Sequence, residues 1–347
     1  MTTPDTLPAP LARLGSRHPL TIAAILVAGA IGVATTVATV AAFGARRWWV
    51  FDVLTSYRPQ LAVIALVTAV ALGGLRRPRL ALMALVALGL NGWLVAPVIT
   101  GNRPAPEPGS ATLSIAHLNL QGHVRDGAAI RDWLRSRPAD VVVLLDIGRP
   151  LAVELAADPG DYRIEYLVLE PAPVDEPPYV HAGDLVEPGV MVLTTRPDVT
   201  ARMPEAEGLP RSSVELTAQV GEHPVRLLGL HTTAPTSAAR HARRDAQLDA
   251  VAQWLVADRT PSVAFGDFNV TWYSPVFQSV LERGQARSSQ LGFGVEATWP
   301  VQVPPAGIAI DQSISTGTLT AVARTRGPSF GSEHHSLIVT YAWAEGT

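Results

Sequence analysis

Three long stretches without a charged side chain, all within the first hundred residues, constrain this chain more than any other feature of its sequence. The charge-free stretches lie between Arg17 and Arg46, Arg58 and Arg76, and Arg79 and Arg103. A helix of about 20 apolar residues spans a bilayer, and the middle stretch is at the short limit of that length. We therefore predict three transmembrane helices, near residues 19–44, 59–75 and 80–99. The alternative, the core of a soluble domain, is disfavoured by three such stretches so close together.

The arginines give the predicted orientation, because the chain has no lysine and fixed positive charge favours the cytoplasmic side. With the amino terminus inside, the arginines on the cytoplasmic flanks are Arg13, Arg17, Arg76, Arg77 and Arg79. Those on the outer flanks are Arg46, Arg47, Arg58 and Arg103. The bias is small, but three spans then place residues 101–347 outside the cytoplasmic membrane. The prediction is a multi-pass protein of the cell membrane whose larger domain is extracytoplasmic.

The sequence divides into a membrane domain at residues 1–100, a proline-rich linker at 101–110 and a large domain at 111–347. Apolar runs rich in β-branched residues lie at 112–118, 141–145, 189–194, 213–219, 225–230, 262–266, 308–314 and 336–342. Helical patterns lie at 127–137, 237–257 and 274–283. Because strands and helices do not alternate strictly, we predict an α/β fold of the α+β kind, a two-sheet β-sandwich flanked by helices.

The charge of the large domain bears on its partners. Residues 101–347 contain 19 arginines and 28 acidic residues, a formal net charge of −9. Proteins that bind duplex nucleic acid neutralise phosphates with a basic face, so nucleic acid is disfavoured as a partner. Scattered carboxylates on a solvated surface would give the same net charge without bearing on the substrate.

The segment Gly266-Asp267-Phe268-Asn269 follows an apolar run and carries the clearest chemical signal. In an extended chain, residues two apart face the same way, so Asp267 and Asn269 project together from the end of a strand. A carboxylate accepts a proton from water, and a neutral amide donates to a phosphoryl oxygen. The alternative is an ordinary Gly-Asp turn after a core strand.

Other apolar runs also end in polar side chains. The residues at these ends are Asn119, Asp146, His231 and Asp311, while Glu333 and His334 precede the final strand. Isolated, His231 would as readily be a core histidine with satisfied hydrogen bonds, but several such strand ends together favour a common site. His117 and His335 are left out of the predicted set, His117 because it is judged to lie off the face of Asn119.

The order of these residues resembles the endonuclease/exonuclease/phosphatase superfamily of metal-dependent phosphoesterases over about residues 110–343. The family pattern has an Asn after the first strand, a Glu after the second, a central His, Gly-Asp-Phe-Asn, Ile-Asp-His and a terminal Ser-Asp-His. The membrane-anchored arrangement also resembles the bacterial branch that includes VanJ-type glycopeptide-resistance proteins. Three positions depart from the family pattern: Asp146 replaces Glu, Glu333 replaces Asp, and Gln312 replaces His.

The resemblance implies roles for the matched residues. A divalent cation, Mg²⁺ or Mn²⁺, is expected to bind Asn119, Asp146 and Glu333. Asp267 would orient or deprotonate the attacking water, and the choice of Asp267 or His334 as the base stays open. The expected contacts to the phosphoryl oxygens come from His231, Asn269 and His334, the last oriented by Asp311.

The predicted helix at 237–257 carries three arginines, at positions 240, 243 and 244. They could contact an anionic lipid or a phosphate, but with Leu248, Val251 and Leu255 as the buried stripe, a solvated face is the favoured interpretation.

The predicted function is a membrane-anchored, divalent-metal-dependent phosphoesterase that acts outside the cytoplasmic membrane on a lipid or small-molecule phosphate. Its predicted partners are the lipid bilayer and the phosphorylated substrate. The alternatives are an extracytoplasmic nuclease and a degenerate, non-catalytic binding module of the same fold.

Overall fold

The computed structural model of the protein describes residues 19–102, 109–122, 124, 126–169, 180–181, 184–185 and 189–344. Most of the predicted linker, residues 103–108, lies outside the described residues. The chain divides into two compact units. One contains Met1–Val40 and Leu61–Asn91, and the other contains Ala41–Gln60 and Gly92–Thr347.

The helices of the first hundred residues are α1 (Pro19–Ala41), α2 (Trp49–Thr55), α3 (Arg58–Gly74) and α4 (Pro78–Thr100). Two helices are long and apolar enough to cross a membrane, over Pro19–Gly44 and Pro78–Thr100. A third span is present if α2 and α3 together form one bent crossing. The structure thus supports association with a membrane and leaves the third predicted span as a prediction.

Small and polar side chains form contacts between the helices of residues 19–40 and 61–91. A Cβ atom added at Gly32 would lie 3.1 Å from Thr68, so the glycine permits close helix packing. The buried Asn91 donates through Nδ2 to Thr39 Oγ1 at 2.8 Å. Such interhelical hydrogen bonds satisfy polar groups that neither lipid nor an apolar core would satisfy.

The second unit contains two mixed β-sheets. The strands are β1 (Thr112–Asn119), β2 (Val141–Leu145), β3 (Arg163–Leu169), β4 (Val180–His181), β5 (Asp184–Leu185), β6 (Gly189–Thr194), β7 (Thr200–Arg202), β8 (Ser213–Val220), β9 (His223–His231), β10 (Ser262–Asp267), β11 (Ala286–Ser288), β12 (Asp311–Thr316), β13 (Leu319–Arg326) and β14 (Leu337–Trp343). The first sheet has the order β13-β14-β1-β2-β6-β3, the second has the order β11-β12-β10-β9-β8-β7, and β4 and β5 pair separately.

Apolar side chains from both sheets form the central core of the second unit. Ile115 and Val143 of the first sheet pack in one cluster with Leu216 and Phe265 of the second. The remaining helices are α5 (Gly127–Arg135), α6 (Arg149–Ala157), α7 (Ala238–Val256) and α8 (Pro275–Arg283). Separate clusters join α5 and α6 to the outer face of the first sheet and α7 and α8 to that of the second. The predicted two-sheet sandwich with flanking helices is confirmed.

Strand pairing carries the polar strand ends into register. In the first sheet, β1 runs parallel to β2 with Asn119 opposite Leu145, so Asp146 follows directly. In the second sheet, Asp267 pairs with His231 on the parallel strand β9 and with Asp311 on the antiparallel strand β12. Both sheets therefore present polar side chains where β1, β2, β9 and β10 end.

One predicted boundary is wrong. The apolar run at 308–314 was expected to form a single strand, but β12 begins at Asp311. Ile308 instead forms an isolated bridge with Trp299, and the chain enters the sheet only three residues later. Ile308 and Ile310 are free of the sheet ladder and line the cavity described below.

Candidate active site

Seven of the eight predicted site residues line one cavity of about 380 Å³. They are Asn119, Asp146, His231, Asp267, Asn269, Glu333 and His334. The eighth, Asp311, is fully buried and accepts a hydrogen bond from the ring of His334, the Nδ1 atom lying 3.0 Å from Asp311 Oδ2. The structure thus brings all eight residues together, while their individual roles remain predictions.

Asp267 contacts four other residues of the site. Its Oδ2 atom accepts a hydrogen bond from Asn119 Nδ2 at 3.0 Å, and its Oδ1 atom accepts one from the backbone N–H of Asn269 at 2.9 Å. The Nε2 atoms of two histidines also lie near Oδ2, that of His231 at 3.3 Å and that of His334 at 3.7 Å. The carboxylate is thereby fixed in the cavity between an amide and two imidazoles.

His231 joins the two sheets. Its Nδ1 atom lies 2.8 Å from Asp146 Oδ2 at the end of the first sheet, and its Nε2 atom faces Asp267 in the second. Asn269 continues this side of the site, donating through its side-chain amide to Thr232 O at 2.8 Å. Asp146 and Asn269 adopt positive φ angles of 50° and 49°. Both residue types tolerate this left-handed backbone better than bulky or β-branched residues do.

The charges of the cluster shift its pKa values. Burial lowers the pKa of His231, but the carboxylates of Asp146 and Asp267 outweigh that effect and raise it to about 9. Burial likewise opposes protonation of His334, and the charges of Asp311 and Asp267 raise its pKa above the ordinary value. Both imidazoles are therefore suited to donate hydrogen bonds to an anion.

Burial and neighbouring charges shift the pKa values of Asp146 and Asp267 in opposite directions. Burial raises the pKa of Asp146, yet the charge and hydrogen bond of His231 outweigh burial and hold that pKa below its ordinary value. For Asp267 burial prevails over the charges of His231 and His334, so its pKa lies above the ordinary value. A carboxylate with a raised pKa is a stronger proton acceptor, which suits a general base.

Glu333 lines the same cavity as Asp146 and His231. Its Oε2 atom accepts hydrogen bonds from Gln121 Nε2 at 3.3 Å and from Trp299 Nε1 at 3.2 Å. Gln121 also accepts the backbone N–H of Glu333 at 3.0 Å. Sequence reasoning missed Gln121 and Trp299. Gln121 lies two residues after Asn119, at a position that the strand-end pattern alone could have indicated.

The described residues fit a divalent cation. Asp267, Asp311 and His334 each offer a ligand atom, and these atoms lie within 4.8 Å of one another. Asp146 Oδ1 and Asp311 Oδ1 are buried and accept no hydrogen bond from the described part of the chain. Unpaired buried carboxylate oxygens are costly, and hard cations such as Mg²⁺ and Mn²⁺ prefer oxygen ligands. Four carboxylates facing two imidazoles also leave negative charge that a cation would offset.

The tight group of possible ligand atoms shares no residue with the metal ligands inferred from the resemblance. The predicted ligands were Asn119, Asp146 and Glu333, whereas Asp267, Asp311 and His334 form the tight group. A cation bound by this tight group would need the neutral form of His334, because an imidazolium donates and cannot ligate a metal. The assignment of ligands to Asn119, Asp146 and Glu333 therefore stays a prediction.

Two sequence interpretations are wrong. His117 was placed off the face of Asn119, but residues two apart in a strand share a face, and His117 Nε2 lies 3.6 Å from Asp311 Oδ1. Arg244 was assigned to a solvated helix face, but its side chain is only 2% exposed. Its Nη1 atom donates to the backbone carbonyl of Asn269 at 3.1 Å, which ties α7 to the site.

Buried carboxylates and imidazoles that converge from two sheets on one cavity define a hydrolase-type site. The model of the Endonuclease/Exonuclease/phosphatase family matches residues 116–334, more than half of the chain. The chain belongs to this family. Family members hydrolyse phosphoesters and are generally dependent on divalent metals, which supports a hydrolase activity.

Solved structures share the fold at low sequence identity. An endonuclease/exonuclease/phosphatase from Beutenbergia cavernae DSM 12333 is 21% identical with a TM-score of 0.51, covering 67% of this chain and 72% of that one. The catalytic domain of human Nocturnin is 14% identical with a TM-score of 0.51, covering 67% and 94%. Humanized D. rerio TDP2 is 14% identical with a TM-score of 0.50, covering 67% and 99%. No curated protein sequence matches the chain.

Proposed function

We propose that the protein is a membrane-anchored, divalent-metal-dependent phosphoesterase that hydrolyses a lipid or small-molecule phosphate outside the cytoplasmic membrane. The observation that carries this proposal is the position of Asp267. Its carboxylate has a raised pKa and lies beside Asn119, His231 and His334 in one cavity.

Each residue has a chemical task in this proposal. Asp267 accepts the proton of the attacking water, held in place by the Asn119 amide and the Asn269 N–H. His231 and His334 donate to the phosphoryl oxygens, where negative charge develops. A bound Mg²⁺ or Mn²⁺ would supply further stabilisation of that charge. The membrane-anchored, VanJ-like branch of the family remains a prediction for this chain.

The packing of the second unit supports a three-span topology. Asp52 in α2 accepts a hydrogen bond from Arg244 of the large domain, so these two residues lie on one side of a bilayer. The chain between them must then cross the bilayer twice or not at all. Because α4 is long and apolar enough to cross, we propose that α3 crosses as well. With α1, this gives three spans and places the amino terminus opposite the large domain.

The test uses the full-length chain in lipid nanodiscs. Phosphate release is measured from nucleotides, sugar phosphates, inositol phosphates and prenyl phosphates, with Mg²⁺, with Mn²⁺ and with EDTA. We expect hydrolysis only with metal, and Asp267→Asn to lower turnover by about 10²–10⁴-fold, the range for loss of a general base. The near-isosteric change removes the proton acceptor with little change in packing.

Asp132→Asn is the matched control, since that aspartate lies on the exposed surface of α5 with a side chain 74% exposed. It should keep wild-type turnover and melting temperature. Full activity in EDTA, or undiminished turnover in Asp267→Asn, would contradict the proposal. Cleavage of DNA with no release from the smaller phosphates would favour the nuclease, and failure to bind metal would favour the non-catalytic module.

A further inference from the structure

A segment between the first two predicted spans forms part of the active-site cavity. This wall segment, residues 49–57, comprises α2 and the two residues that follow it. Val53, Ser56 and Tyr57 line the cavity together with the site residues. Residues 111–347 therefore do not form the whole wall of the cavity, and the wall segment forms part of it.

Asp52 fixes the wall segment to the large domain. It is 2% exposed, and its Oδ2 atom accepts a hydrogen bond from Arg244 Nη2 at 2.7 Å. Its Oδ1 atom accepts one from Ser274 Oγ at 2.6 Å, and His241 Nε2 lies 3.1 Å from Oδ2. A buried carboxylate is stable when it is paired and hydrogen-bonded in this way.

Two further contacts hold the end of the segment. Gln60 Nε2 donates to the backbone carbonyl of Gly307 at 2.6 Å, and Thr271 Oγ1 lies 3.4 Å from Ser56 Oγ. Arg244 in turn donates to the carbonyl of Asn269, so one buried guanidinium connects the segment to a residue of the site. The segment and the residues that follow it are thus attached to the large domain at several points.

The side chains of the segment differ in burial. Asp52 and Thr55 are buried, whereas Val53 and Tyr57 are only partly buried, and Asp52, Val53 and Tyr57 all line the cavity. Further apolar side chains line the same cavity: Val270, Trp299, Ile308 and Ile310. The carboxylates and imidazoles lie in the same cavity, so a polar reaction centre adjoins an apolar compartment.

We propose that Val53 and Tyr57 of the wall segment bind the apolar organic group of the substrate, so that the enzyme selects phosphate esters bearing an alkyl chain. This inference rests on the proposed phosphoesterase function and specifies its substrate class. The phosphate lies at the Asp267 cluster, and the alkyl chain packs against the segment and against Ile308 and Ile310. Asp52 is a positioning residue, because its carboxylate is engaged by Arg244, Ser274 and His241 and fixes the segment.

The experiment measures phosphate release by the full-length protein in nanodiscs from n-alkyl phosphates, from propyl to octyl. We expect kcat/KM to rise with chain length, by up to about fourfold for each methylene that the compartment buries. Tyr57→Ala and Val53→Asn should flatten this dependence, and Tyr57→Ala should cost the octyl ester on the order of tenfold in kcat/KM. Arg47→Gln, an exposed change just before the segment, should leave the dependence unaltered.

The outcomes separate the inference from the proposed function. If no alkyl phosphate is hydrolysed and the wider screen also fails, the phosphoesterase proposal itself is wrong. If propyl and octyl phosphate are hydrolysed equally, or if both wall variants keep the wild-type length dependence, the inference is wrong and the function stands. Melting temperatures of the two variants show whether a flattened dependence reflects the cavity or a loss of folding.

A second arm identifies the source of the alkyl chain. Phosphatidic acid is supplied within the nanodisc bilayer while octyl phosphate is supplied in solution. Turnover of both supports an apolar compartment open to membrane lipid, and turnover of octyl phosphate alone supports one that takes soluble amphiphiles. Turnover of neither, with activity retained on sugar phosphates, overturns the inference.

Discussion

Gln312 occupies the position where the family pattern has a histidine, and its contacts give it a structural task. The residue is fully buried, and its Nε2 atom donates to Ala309 O at 2.7 Å and to Val270 O at 3.2 Å. These carbonyls belong to the two chain segments that flank Asp267 and Asp311. A single side-chain amide thereby links the loops on either side of the site.

At the residue scale, we therefore expect Gln312→Met to destabilise the protein by about 1–3 kcal/mol, because two buried carbonyls lose their donor while side-chain volume is kept. At about 2–4 °C per kcal/mol for a domain of this size, thermal unfolding resolves the change. Gln219→Met, an exposed substitution on β8, is the control. An unchanged melting temperature for Gln312→Met would show that the amide does not support these loops.

The site residues differ in how far the sequence reveals them. His231 and Asp267 end the strands β9 and β10, and Asp311 begins β12, so the polar residue after each apolar run and the strand pairing suffice to place them. Arg244 could not be placed in this way, because its burial depends on Asp52, which lies 192 positions away in the chain. The sequence nevertheless draws attention to Asp52, because it is one of only two acidic residues in the first hundred positions.

At the element scale, the helix boundaries were predicted closely because the caps are local. Side chains that accept a hydrogen bond from the first turn precede the helices α5, α7 and α8: Asp126, Ser237 and Ser274. The strands β3, β4, β5, β7, β11 and β13 were missed, as were the helices α2 and α6. These strands are short or carry polar and half-buried side chains, so pairing within the sheet decides their conformation and the local pattern does not.

Gly266 allows the strand β10 to pair closely with β9. Its φ angle is 134°, and a Cβ atom at this position would lie 2.0 Å from Leu230 O. A strained backbone alone costs about 1–3 kcal/mol. We expect Gly266→Ala to destabilise the protein by more than this, because the backbone oxygen of Leu230 must also move. The displaced carbonyl adjoins His231, so activity should fall as well.

Thermal unfolding and phosphate release measure this effect on the full-length protein. Gly92→Ala is the matched control, since a Cβ atom there meets nothing within 4 Å. It should leave both quantities near wild type. A Gly266→Ala protein with wild-type melting temperature and turnover would mean that β10 can shift away from β9 at no cost, contrary to the close contact.

At the scale of the whole molecule, the arginine pattern gave only a weak orientation, and the packing of residues 41–60 adds an independent argument. Hydropathy identifies α1 and α4 as candidate spans and leaves α3 at the limit. The contact between Asp52 and Arg244 requires an even number of crossings between those two residues. The sequence of α3 does not show this contact, so the sequence alone could not establish the number of spans.

The resulting prediction concerns the side of the membrane on which each segment lies. The chain has no cysteine, so single cysteines introduced at Arg47, Arg79 or Asp132 report their own positions. In intact cells of the expression host, we expect a membrane-impermeant maleimide to label Arg47→Cys and Asp132→Cys. It should label Arg79→Cys only after permeabilisation, because Arg79 lies in the first turn of α4, on the opposite side. Labelling of Arg79→Cys alone in intact cells would place the large domain in the cytoplasm, and labelling of all three on the same side would mean that α3 and α4 do not cross. Labelling of Arg47→Cys and Asp132→Cys from opposite sides would contradict the pairing of Asp52 with Arg244, and with it the wall segment, because a residue cannot complete a cavity across a bilayer.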